Sequence, residues 1–72
     1  MSNFYERLKE TRKTLNLTQK QVAEGIDISE RLYQKYEYGN TKPNFEYIIK
    51  LCNYFNVSAD YLLGLSDDPT RH

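Results

Sequence analysis

Residues 17–43 read LTQKQVAEGIDISERLYQKYEYGNTKP. Thr18 and Ser29 are small polar residues able to accept hydrogen bonds from the unpaired amides of a first helical turn. Gln21 follows Thr18 at the spacing of a capping box. Leu17 with Val22, and Ile28 with Tyr33, occupy hydrophobic-staple positions. Two short helices are therefore predicted, over 19–25 and 30–38, and Gly39 suits the left-handed residue that ends the second. Only Ile26-Asp27-Ile28 joins them, a link tight enough to set two helices near a right angle.

At 100° per residue, Leu32, Tyr33 and Tyr36 fall on one side of the second helix, and Glu30, Arg31, Gln34, Lys35 and Tyr38 on the other. Most polar helix faces are simply solvated. This one belongs to a short, capped helix set across its predecessor, a geometry that lets it protrude, and a protruding helix has the width to enter a DNA major groove. Arg31 and Lys35 can donate to guanine O6 and N7, and Gln34 can pair with adenine.

The same signals extend outward. Asn3 with Glu6, Asn44 after Pro43, and Ser58 between Val57 and Leu62 mark three further helix starts. They predict helices over 4–15, 45–55 and 59–63, with Gly64 ending the last. Apolar residues recur at helical spacing: Phe4, Leu8 and Leu15; Val22, Ala23 and Ile26; Phe45, Ile48, Ile49, Cys52 and Phe55. No alternating strand pattern competes. The expected fold is all-α, a compact five-helix bundle over residues 1–65, with 66–72 as a short, loosely held tail.

A chain of 72 residues has room for one domain, because folded units start at about 50 residues and commonly exceed 100. Folding at this size buries only about 60% of the chain's surface, so the core is small and an enzyme cleft has little space. The single cysteine, Cys52, excludes an internal disulfide, and the single histidine is His72, so no Cys/His zinc set exists. Cys52 reads as a small buried hydrophobe. Neither a membrane-spanning run nor a signal-peptide core is present, which points to the cytoplasm. No nucleophile with a positioned base and no carboxylate pair stands at a meaningful spacing. The reading is a non-enzyme without metal, cofactor or small-molecule ligand.

Net charge is formally zero, which alone argues against a strong polyanion binder. The charge is unevenly placed. Residues 1–50 hold nine Lys and Arg against seven Asp and Glu, while Asp60, Asp67 and Asp68 face only Arg71 beyond them. Any anion-binding surface is expected in the first two thirds. The seven tyrosines raise the possibility of stacking on unpaired bases, but Tyr33, Tyr36, Tyr47, Tyr54 and Tyr61 lie on or beside apolar stripes, leaving Tyr38 and Tyr5 free.

Residues 17–43 resemble the signature of the Xre/Cro-type helix-turn-helix DNA-binding family. The opening LTQ, the alanine in the first of the two helices, the Ile-Ser start of the second, the Tyr-Glu-x-Gly at its end and the following Lys-Pro all match. Residues 44–64, ending VSADYLLG, resemble the family's last two helices, so the likeness spans about residues 4–65. It implies a lambda-repressor-like domain. By this resemblance Glu30, Arg31, Gln34 and Lys35 would read base edges. Thr18, Gln19, Ser29, Tyr38, Asn40, Thr41 and Lys42 would contact phosphates, Gln19 also bracing the reading helix. Arg12 and Glu37 match an internal salt bridge. Asp27 stands where the family often has Gly, at a turn whose left-handed backbone Asp tolerates better than most residues. Glu30 departs by placing a negative charge on the reading face, where it could accept from cytosine N4, brace Arg31 or reject other sites.

The function this implies is a bacterial or phage-borne transcriptional regulator, most simply a repressor, bound to a double-stranded, palindromic operator. One such unit buries about 600–1,000 Å², too little for tight selective binding, so a homodimer is expected, with half-sites roughly 34 Å apart. Phe55, Val57, Tyr61, Leu62 and Leu65 are the candidate interface, although packing onto the first helix explains some of them equally well. The alternative is a protein-binding helix-turn-helix module, antitoxin-like or an anti-regulator subunit, supported by zero net charge and Glu30.

Overall fold

The computed structural model describes residues 3–71 and consists of five helices: α1 (Phe4–Thr14), α2 (Gln19–Gly25), α3 (Glu30–Tyr38), α4 (Phe45–Phe55) and α5 (Ala59–Leu62). Each begins on a predicted cap. Asn3, Thr18, Ser29, Asn44 and Ser58 each accept a bond from the backbone amide three residues on, at 2.9–3.1 Å. At Thr18 the box closes, Gln21 Oε1 accepting from the Thr18 amide at 2.8 Å. Such a cap is worth about 1 kcal/mol, a large share for helices of seven or nine residues that would not persist alone in water.

The helix ends follow one rule as well. Asn16, Asp27, Gly39, Asn56 and Gly64 all have φ between 57° and 82°, the left-handed region. At the turn after α2, the Ile28 amide donates to Ala23 O at 2.9 Å and the Asp27 amide to Glu24 O at 3.2 Å. This is the paired Schellman closure. It satisfies carbonyls that α2 would otherwise leave open, and it reverses the chain within three residues. Asp27 thus adopts the conformation its position demands.

Leu8, Val22, Ala23, Ile26, Tyr33, Tyr36, Leu51, Cys52, Phe55, Val57 and Leu62 form the core. Helices α2 and α3 pack on each other, α1 lies against α3 and α5, and α4 against α5. The apolar stripes differ from expectation at three places. Leu15, Phe45 and Ile49 are exposed, while Arg7 and Thr11 join Leu8 on the buried face of α1. Leu15 follows the last turn of α1, and Phe45 opens α4 where no other helix covers it. Among the described residues, no helix is long and apolar enough to cross a membrane.

Residues 66–71, expected as a loose tail, are fastened to the body. Arg7 Nη1 donates to the Ser66 carbonyl at 3.2 Å and Nη2 to Asp67 Oδ1 at 2.9 Å. Its guanidinium also lies 4.1 Å from the centre of the Tyr61 ring. The Ser58 amide donates to Pro69 O at 3.1 Å, and Arg71 Nη2 to Asn53 Oδ1 at 2.8 Å. A buried arginine needs such partners, and here they lie some 60 positions away in sequence. His72, assigned to the same tail, lies outside the described residues, as do Met1 and Ser2.

Gly39 combines φ 79° with a close neighbour: a Cβ there would sit 3.2 Å from the Tyr5 ring. Gly39→Ala is expected to cost about 1–2 kcal/mol for the left-handed backbone, lowering the thermal midpoint by roughly 4–16 °C. Asp27→Gly relieves the same conformational cost and should not lower it. Thermal unfolding followed by circular dichroism compares the two, and equal losses would discount the helix-end argument.

Candidate nucleic-acid interface

Three helices converge on the carboxylate of Glu37, which is buried although charged. From α1, Arg12 Nε donates to Oε2 at 2.6 Å and Nη2 to Oε1 at 3.1 Å. Arg12 Nη1 reaches the Leu17 carbonyl at 2.9 Å, holding the α1–α2 link. From α2, Gln19 Nε2 donates to Oε1 at 3.1 Å. Tyr33, fully buried, brings its hydroxyl beside the same pair without closing a well-formed hydrogen bond. Burial pushes the Glu37 carboxyl up, but hydrogen bonds from Arg12, Tyr33 and Gln19 outweigh it and hold its pKa below the ordinary carboxylate value. The Tyr33 hydroxyl is pushed well above its usual value by burial and by Glu37.

With Tyr33, Tyr36 and Glu37 turned inward, the opposite flank of α3 is left outside. Glu30, Arg31 and Lys35 are exposed, and Tyr38 is 66% exposed. Among the described residues, Arg31 and Lys35 make no ion pair. Gln34 is half-buried because its Nε2 donates to Gln19 Oε1 at 3.2 Å. The sequence pointed to both glutamines but not to the bond between them. Asn40 and Lys42 are exposed and Thr41 half-buried in the loop that follows. Thr18 and Ser29 lie at the starts of α2 and α3, their oxygens engaged as caps. The expected residues therefore fall on one strip running from the α2 start across α3 into the loop after it.

The five residues expected at a two-fold contact are not brought together on a surface. Phe55, Val57 and Leu62 are buried in the chain's own core. Tyr61 is half-buried beneath Arg7, and Leu65 is 71% exposed. Periodicity had marked these residues as apolar, but burial against α1 and burial in a partner produce the same pattern. Lys42 and Pro43 also border a groove of about 740 Å³ whose walls include Phe4, Phe45, Ile48, Ile49 and Leu63. Cys52 lies at its base, buried, its thiol pKa raised by that burial.

The Arg12–Glu37 pair yields a signed pH prediction. A carboxylate whose folded pKa is depressed contributes stability above its unfolded value of about 4.3 and loses it as pH falls through the lower folded value. The difference in thermal midpoint between the native chain and Glu37→Gln should stay constant from pH 7 to about 5 and close below about 4. Arg12→Ala, which leaves the buried carboxylate unpaired, should cost about 3–5 kcal/mol. A gap that widens on acidification would reverse the assignment.

Comparison with known proteins places this geometry. A family model described as a helix-turn-helix domain matches residues 5–67. The uncharacterized HTH-type transcriptional regulator YobD of Bacillus subtilis is 41% identical over 66 residues, covering 92% of this chain and 59% of that protein. The cryptic phage CTXphi transcriptional repressor RstR of Vibrio cholerae is 42% identical over 59 residues, covering 82% and 53%. The chain spans little more than half the length of these relatives. Among solved structures, the P22 c2 repressor in complex with a synthetic operator superposes with a TM-score of 0.84 at 27% identity, covering 92% of this chain and all of that one. A transcriptional regulator from Listeria innocua superposes at 0.81 with 37% identity, over 86% and 58%. Inward anchoring of α3, its exposed polar flank and these likenesses agree: the chain belongs to the Xre/Cro-type helix-turn-helix family.

Proposed function

We propose that this chain binds double-stranded DNA sequence-specifically as a transcriptional regulator, a repressor acting on a palindromic operator, with α3 in the major groove. One observation carries the reading. The flank bearing Arg31 and Lys35 makes no ion pair within the described chain, while the other side of the same helix is fixed in the core. A rigidly held row of donors meets the requirement for reading base edges. Arg31 supplies a bidentate donor pair suited to guanine, and Lys35 a point charge. Asn40, Thr41 and Lys42, with Gln19 and the Thr18, Ser29 and Tyr38 positions around them, set the register on the phosphates. That the P22 c2 repressor, a structural neighbour, is seen with operator DNA supports the same arrangement.

The homodimer belongs to this proposal. Since Phe55, Val57 and Leu62 are buried in the core, the contact is assigned to the exposed apolar residues around the end of α5, Leu63 and Leu65, with Tyr61 beside them. Repression then follows by occupancy of the operator. A protein-binding helix-turn-helix module is the second reading, favoured by the exposed carboxylate of Glu30 on the same flank.

Selection of bound duplexes from a random pool, followed by a salt series, tests the proposal. Arg31→Ala should cost about 1–3 kcal/mol on the selected site and relax preference at one base position. Lys42→Ala should weaken binding to every sequence alike and reduce the salt slope by about one. Failure to enrich any duplex at low salt would leave the protein-binding reading in its place. Leu65→Asp should shift a dimer toward monomer in sedimentation and weaken operator binding while helix content stays unchanged. An unaltered dimer would move the contact elsewhere.

A further inference from the structure

We propose that the buried Glu37 carboxylate sets the direction of a hydrogen-bond relay through Gln19 to Gln34. Gln34 thereby offers its amide to a base edge in one orientation and selects adenine. The proposal rests on the reading of α3 as a major-groove helix and deepens it, naming what one position of that helix recognises.

The direction of the relay follows from chemistry. An ionised carboxylate can only accept hydrogen bonds, and Arg12, with two bonds to Glu37, keeps it ionised. Gln19 approaches the same carboxylate, so its NH2 must be the end turned toward Oε1, at 3.1 Å. Its carbonyl oxygen is then left facing α3. An amide oxygen can likewise only accept, so Gln34 must meet it with its own NH2, at 3.2 Å. Two flexible amides that could each be flipped are fixed in sense by one buried charge.

The groups left over at Gln34 decide what it can read. One N–H is engaged by Gln19, leaving the second N–H and the carbonyl oxygen. Adenine offers N6–H as donor and N7 as acceptor on its major-groove edge, matching that remainder with two bonds. Guanine presents acceptors only, thymine an acceptor and a methyl group, and cytosine a donor alone. A glutamine free on a helix surface could make the same pair after losing its rotamer freedom. Here much of that freedom is already lost before DNA arrives. Gln34 is the reader, and Gln19 and Glu37 are positioning residues that act through it.

The test applies random-pool selection to the full chain and to Gln34→Ala, Gln19→Ala and Arg31→Ala, with helix content followed in each. Gln34→Ala should erase an adenine preference of about tenfold or more at one position. Gln19→Ala should weaken preference at that same position by about 2- to 10-fold. It should leave intact the preference that Arg31→Ala removes. A merely structural role for Gln19 would flatten both positions together. An unchanged profile at the Gln34 position in Gln19→Ala, or selection there of a base other than adenine, overturns the relay alone. Failure of the native chain to enrich any duplex overturns the DNA reading and the relay with it.

Discussion

A carboxylate with almost no access to water can persist only where other groups replace its hydration, and Glu37 obtains that from α1 and α2 at once. Rotation of α3 about its axis would strip those partners away, leaving a buried charge at a cost of several kcal/mol. Rotation the other way would expose Tyr33 and Tyr36. The azimuth of α3 is therefore set by polar satisfaction on one edge of its inner face and by apolar burial on the rest. The outward position of Glu30, Arg31 and Lys35 is a consequence of that constraint. Buried pairs contribute little net stability compared with a well-packed apolar replacement. This pair acts mainly by excluding other orientations of the helix.

Helices α2 and α3 are too short to be stable by propensity, so their existence depends on both ends being closed. The Thr18 and Ser29 caps close the N-terminal ends, and Asp27 and Gly39 the C-terminal ends. The turn between them links local structure to the interface directly. With α2 ended by a left-handed residue, the chain changes direction within three positions and α3 starts across α2. A longer or looser connection would let α3 slide relative to Gln19 and break the bond that joins the two helices at Gln34.

All five helix starts were legible because each signal is local: an oxygen-bearing side chain three residues before the amide it serves. Gly39 and Gly64 were equally legible as ends. Asn16 and Asn56 were not, since asparagine in a loop carries several meanings and only the backbone angle separates them. The family resemblance extended the reading to Gln19, Glu37 and the flank of α3. What escaped it depended on distant partners. Arg7 counts as a surface cation in any tally, yet it is buried against Tyr61, Ser66 and Asp67, at the other end of the chain. Phe55, Val57 and Leu62 show the converse, because an apolar pattern does not say whose core it fills.

Formal neutrality carries less weight once these placements are known. Arg7 and Arg12 are bound internally by Asp67 and Glu37, so two of the nine cations in residues 1–50 and two of the anions are removed from any exchange with a ligand. What a polyanion meets is set by position. Arg31, Lys35 and Lys42 lie along α3 and the loop after it, while Asp60 is on α5 and Asp67 lies in the segment anchored to α1. Exposed charges interact over about 8–10 Å at physiological salt, short against a molecule 28 Å in its longest dimension. The acidic C-terminal part and the basic strip thus act as separate surfaces. Glu30 alone places a negative charge within the strip, and its effect there is on the choice of base rather than on attraction to the duplex as a whole.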